Sequence, residues 1–336
     1  MLAVAAMASC AKSELAERPA AAGEVELKLG STVYGIESRA PFIGTIGNTA
    51  SLTARVLVST ATGVYFESPG ANYVANSTVT FTDEATQQSL SPNAYYPANG
   101  DAVYLLGLYP ANTWTFNNST DVTLDFTGNQ DIMFATEVSS TKALAQAGNY
   151  PVLAFKHQLA RYDIKVKGDS EAAEYWGKIK GMELSGGKNG SVPESQCKVT
   201  FADGSVTFDG SDPIHFYLVK NGNDYSDTQV GIGAGDADYI TLTETETLAA
   251  YAMVAPVTFT NQNDYITLKV FTENGKAGGE EVKVKLTDST GSPYLNVPTT
   301  GKVFTITLNF TSTEITPKAS VDEWEDNGDK GEQTIQ

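Results

Sequence analysis

Cysteine and histidine are almost missing from this chain: its 336 residues hold two of each. So few ligands make a poor zinc site. No Gly-x-Ser-x-Gly elbow and no phosphate-cradling glycine loop is present. Neither His157 nor His215 lies in a catalytic setting, so no catalytic residue, metal or cofactor is expected. Basic residues are outnumbered 22 to 40, which leaves a net charge of −18. That charge repels phosphate backbones and excludes nucleic acid as a partner. The acidic loops around Asp203, Asp209, Asp212, Asp236 and Asp238 lack the Asp-x-Asp-x-Asp-Gly spacing of a calcium loop. No apolar run approaches the roughly 18 residues of a membrane-spanning helix. Long Leu/Glu/Lys helical stretches are absent as well.

What is there is β-like: many short runs rich in Thr, Val and Tyr, punctuated by Gly, Asn and Asp. Met1–Ser9 is apolar and small and runs into Cys10. Ala8 and Ser9 before Cys10 resemble the lipobox of bacterial lipoproteins, in which that cysteine is acylated. Cys197 is then left without a partner, as a buried, inert thiol. Lys12–Ala22 is polar and aperiodic and reads as a tether. Glu24–Gly30 alternates cleanly, with Val25, Leu27 and Leu29 on one face and Glu24, Glu26 and Lys28 on the other; Val33 keeps the parity. Arg39 then precedes Ala40 and Pro41 in a polar connection. Pro41 biases its predecessor away from helix, so Arg39–Ala40 presents an extended bond to a protease.

Further along, Asp101–Pro110 is apolar on both faces, as a central strand would be. Ser139–Ala147 is a short helix candidate. Val152–Val166 fits a helical period, but also a strand whose face flips near Ala160–Arg161 through a bulge. We read it as the first long strand of a second domain, with His157 a structural residue near the junction. Ile214–Val219 is an alternating strand, and Asp264–Phe271 with Glu281–Leu286 forms a hairpin. Lys302–Phe310 is the clearest strand: Phe304, Ile306, Leu308 and Phe310 share one face. The length and the spacing of the strands imply an all-β chain of two tandem β-sandwich domains. The divisions are 1–22 signal and tether, 23–150 first domain, 151–317 second domain and 318–336 tail.

The segment Phe155–Val166, FKHQLARYDIKV, resembles a Phe-Lys-His-x-Leu-Ala segment of the fimbrillin family of Bacteroidales surface proteins. Tyr95–Gly100 with Val103–Pro110 is similar to that family's Tyr-Tyr-Pro…Tyr-Pro region, and Asp131–Ala135 to its Asp-hydrophobic-Met-x-Ala run. Ala250–Pro256, Gly301–Leu308, Ile315 and Asp322–Trp324 resemble its later strands and tail. The resemblance covers most of Cys10–Trp324. It implies two transthyretin-like, Greek-key β-sandwich domains and a subunit of a type V pilus.

It also implies a route of assembly. The precursor is exported to the outer membrane on a lipid at Cys10, and an arginine-specific protease cuts between Arg39 and Ala40. The first strand, carrying Val25, Leu27 and Leu29, leaves. A strand from another fimbrial subunit fills the groove by β-strand addition. A donor tail should alternate, yet Lys330–Gln336 holds one large apolar residue. That favours a tip or accessory position, with a host or bacterial surface ligand, over a stalk subunit. The alternative is a surface glycan-binding lipoprotein that keeps its first strand and stacks sugars on exposed Tyr or Trp.

Overall fold

The computed structural model describes residues 23–34, 51–82, 86–222, 224–231 and 239–322. The first half contributes β1 (Lys28–Tyr34), β2 (Leu52–Ser59), β3 (Tyr73–Phe81), β4 (Gln88–Ser89), β5 (Val103–Tyr109), β6 (Thr115–Phe116), β7 (Asp121–Asp125), β8 (Met133–Ser140), the short helix α1 (Lys142–Gln146) and β9 (Val152–His157). Then come β10 (Ala160–Gly168), α2 (Ser170–Trp176), β11 (Ile179–Gly186), β12 (Gln196–Thr200), β13 (Val206–Asp209), β14 (Ile214–His215), β15 (Tyr217–Lys220) and β16 (Asp224–Gln229). The chain closes with β17 (Thr247–Val254), β18 (Ile266–Thr272), β19 (Glu280–Val284), β20 (Val303–Phe310) and β21 (Ile315–Asp322). The all-β, two-sandwich class expected from the sequence is the class found.

The first domain is a seven-stranded sheet in the order β3-β2-β5-β8-β9-β1-β4. Its ends meet. Just past β4, Ser91 exchanges two backbone hydrogen bonds of 2.8 Å with Thr78 of β3. The sheet therefore curls over one apolar core, built from Leu52, Val56, Phe81, Val103, Leu105, Met133, Leu153 and Phe155 among others. β5 is central, between β2 and β8. It sends Val103 and Leu105 into this core and Leu106 and Leu108 to the opposite face. Gly107 is required there, because a Cβ on it would lie 2.6 Å from the Phe155 ring.

The second domain packs a six-stranded sheet, β16-β15-β17-β10-β20-β21, on a four-stranded one, β14-β11-β18-β19. Phe304, Ile306, Leu308 and Phe310 of β20 all point into the sandwich and are at most 2 % exposed. The expected hairpin is β18–β19. The expected helix shrinks to α1, where the Thr141 side chain accepts from the Leu144 N–H as an N-cap.

Three expectations are corrected. Val152–Val166 is two strands in two domains. β9 pairs with β8 and β1, whereas β10 pairs with β17 and β20. The change of sheet falls at Gln158–Leu159, past the division expected at 150/151, and the ladder irregularity of β10 lies at Ile164–Lys165. The flip of face seen in the sequence was the chain leaving one core for another. Ile214–Val219 likewise divides at Phe216 between two sheets. Residues 318–322, assigned to the tail, belong to β21.

Neither domain stands alone. A further four-stranded sheet, β13-β12-β7-β6, takes β6 and β7 from the first half and β12 and β13 from the second. Its Val122, Leu124, Cys197 and Val199 share one core with Leu57, Leu106 and Phe134 of the first domain. The Tyr65 and Phe201 rings meet edge to face at 5.2 Å across this seam. Burial pushes the Cys197 thiol up to about 12, so it stays protonated and inert.

Candidate functional site

β1 is tied to the rest of the first core on two sides, by segments distant in sequence. Its N-terminal flank enters the groove as a bridge: the Leu27 N–H donates to Ala94 O at 2.8 Å and the Tyr96 N–H to Val25 O at 3.0 Å. Lys28 and Leu29 then pair antiparallel with Ser89 and Gln88. On the other side, Gly30–Tyr34 pairs in parallel with Val152–Lys156 of β9. β1 is thus the stave that closes the ring between β9 and the 88–96 segment. Parallel pairing is slightly less stable per residue than antiparallel pairing.

The alternation read from the sequence sets the orientation. Leu27 and Leu29 are completely buried and Val25 is half-buried against the same core. They meet Leu153 and Phe155 of β9, and Leu90, Ala94 and Tyr96 of the 88–96 segment. The Tyr96 hydroxyl lies 2.8 Å from Ser140 Oγ, and burial raises its pKa. Outside, Lys28 pairs with Glu26 at 3.6 Å and Lys142 Nζ donates to Gly23 O at 2.8 Å. Cys10, Arg39 and Ala40 lie outside the described residues.

Sequence reasoning did not find β9 and the 88–96 segment as the walls of this groove. Leu153 and Phe155 alternate clearly enough, but they lie more than a hundred residues from β1, and no local signal names a partner at that distance. Ser31, a third core-facing position of β1, is fully buried and was passed over because it is polar.

The remaining chemistry-bearing residues have structural roles. His157 Nδ1 lies 2.8 Å from Asp131 Oδ2, with both side chains buried. This pair sits where the chain crosses domains: the Gln158 N–H donates to Ile132 O and the Gly301 N–H to Leu159 O. Asp203 and Asp209 accept from nearby backbone N–H groups of Ser205 and Gly210, as turn residues do. Trp114 and Trp176 are buried, each donating its indole N–H to a backbone carbonyl. Of the tyrosines and tryptophans among the described residues, Tyr175 alone is exposed, at 55 %.

A fimbrillin-like family model matches residues 47–324, most of the chain. The chain belongs to the fimbrillin-like family. The match lies wholly on the C-terminal side of Arg39 and leaves β1 out. A structure of a candidate cell adhesion protein of Bacteroides uniformis is similar over 90 % of this chain and 98 % of its own, at 15 % identity and a TM-score of 0.51. A fimbrial protein of Bacteroides vulgatus is similar over 89 % of this chain and 99 % of its own, at 13 % identity and a TM-score of 0.47. These likenesses concern the fold. No curated protein matches the chain.

Proposed function

We propose that this fimbrillin-like chain is a surface fimbrial subunit or adhesin, and that β1 is a provisional occupant of its own groove. The carrying observation is that Leu29 of β1 and Leu27 just before it are fully buried in a segment that joins the rest of the chain through the connection holding Arg39. A cut between Arg39 and Ala40 leaves β1 held by non-covalent contacts alone. Burial of its two leucines stabilises it by about 3–6 kcal/mol. Its departure exposes the backbone of β9 and of the 88–96 segment, with an apolar channel between them. A strand from another subunit restores both the ladder and the core. Such contacts run head to tail and do not close, so they build a filament.

Cys10 carries the lipid that holds the precursor at the outer membrane before the cut. The test is the N-terminal residue of protein recovered from assembled fimbriae. Ala40 is expected, with Arg39→Ala leaving only lipid-anchored precursor that starts at Cys10. Normal assembly of the Arg39→Ala variant would overturn the reading.

A further inference from the structure

Five serines are buried among the described residues: Ser31, Ser59, Ser77, Ser140 and Ser195. Four of them use their hydroxyls. Ser59 Oγ donates to Asn72 O, Ser77 Oγ to Pro92 O, Ser140 Oγ meets the Tyr96 hydroxyl, and Ser195 Oγ accepts from the Asp212 N–H. Ser31 Oγ is buried and has no hydrogen-bond partner among the described residues. It faces the same way as Leu27 and Leu29, at the position where β1 lies opposite Leu153. A buried hydroxyl left unpaired costs stability that an apolar group of the same size does not. Among the described residues two buried hydroxyls lack a partner, that of Thr272 in β18 and that of Ser31, and Ser31 is the buried serine so left; it sits in the strand whose removal the proposed function requires.

We infer that the groove is matched to a better strand than β1. Its intended occupant is an extended segment of another subunit, with apolar side chains at the places of Val25, Leu27 and Leu29 and a small apolar side chain at the place of Ser31. This rests on the strand-exchange reading and adds to it the side-chain specificity of the acceptor. Ser31 makes β1 strong enough to complete the precursor's core and weak enough to be displaced once it is cut. The same position then discriminates among incoming strands, because each brings its own residue to a site that offers no hydrogen-bond partner.

The test uses the full chain as wild type, Ser31→Ala and Ser77→Ala. Thermal unfolding of the uncut proteins is compared first. Trypsin then cuts at Arg39, and release of the N-terminal fragment is followed by size exclusion in the presence of a peptide spanning 24–34 with alanine at the place of Ser31. Ser31→Ala is expected to raise the melting temperature by about 2–4 °C. It is also expected to slow fragment release about tenfold. Ser77→Ala, which loses a bonded hydroxyl, is expected to lower the melting temperature. An unchanged or lowered melting temperature for Ser31→Ala, or equal release rates, would overturn the inference. A raised melting temperature with no release of any fragment would overturn strand exchange and leave the preference for an apolar residue at this position standing.

Discussion

The first and last strands of the described chain make an instructive pair. β1 and β21 both present alternating residues to a core, and both flank a segment that lies outside the described residues. Their attachments differ. β21 pairs antiparallel with β20 over eight residue pairs, from Val303–Asp322 to Phe310–Ile315, through a short turn. β1 has five parallel pairs with β9 and two antiparallel pairs with β4, both distant in sequence. The outer edge of β21 is also blocked. The Val321 N–H donates to Thr287 O, and the Thr287 hydroxyl donates to Ala319 O. Pro317 has the same parity as Val321, so its position on that edge offers no N–H at all. β21 is a wall with a protected edge; β1 closes a ring that, on the proposed function, reopens when it leaves. Burial alone does not separate them, since Leu29 and Ala319 are both buried. Covalent context and ladder pattern do.

That contrast can be broken by substitutions on the two sides. The largest effect is expected from Phe304→Ala in β20, the neighbour of β21. Phe304 is fully buried and packs edge to face on Tyr162 and Tyr294 at 6.0 and 5.2 Å. Its loss should cost about 3–5 kcal/mol. Denaturant midpoints should fall equally in the intact precursor and in protein trimmed to Ala40.

Leu29→Ala should cost about 2–4 kcal/mol in the precursor, a large-to-small change in the first core. In the trimmed protein it should cost nothing, because Leu29 is no longer there. If instead the precursor's midpoint is unmoved by Leu29→Ala, β1 does not hold the first core together and the contrast collapses.

The smallest effect is an acid one, confined to the second domain. The Asp264 carboxylate is held below the usual carboxylate range, first by the Asn189 amide, then by the Thr260 and Asn261 N–H groups and by Lys188. Its folded pKa is depressed, so its contribution is present above the ordinary aspartate value and is lost as the pH falls below that value. Hydrogen exchange at pH 3 against pH 6 should show faster opening around Asn189 and Thr260–Tyr265. Protection of the β1–β9 ladder should hold, since its core is apolar. Equal loosening of both regions would remove the distinction.

Much of this was legible in the residues. Period-two alternation placed the core faces of β1 and β20, and two-sided apolarity placed β5 at the centre of its sheet. The 152–166 segment was misread because a strand that changes cores and a strand with a bulge leave the same mark: a flip of parity. Only the partners tell them apart, and the partners of β9 and β10 lie far away in sequence. The seam sheet was invisible for the same reason, since β7 and β12 are each ordinary short strands until they pair.

The sequence by itself determined that this protein is β-rich, acidic and poor in catalytic residues, and which face of each strand is apolar. Those properties follow from side-chain chemistry and from the two-residue period of the extended backbone. Only the tertiary structure decided that β1 closes the first sheet against β9, that Ser31 is buried there without a partner, and that a shared sheet joins the domains. Backbone hydrogen bonds carry no residue code, so pairing is settled by which apolar faces can be buried together once the whole chain has folded.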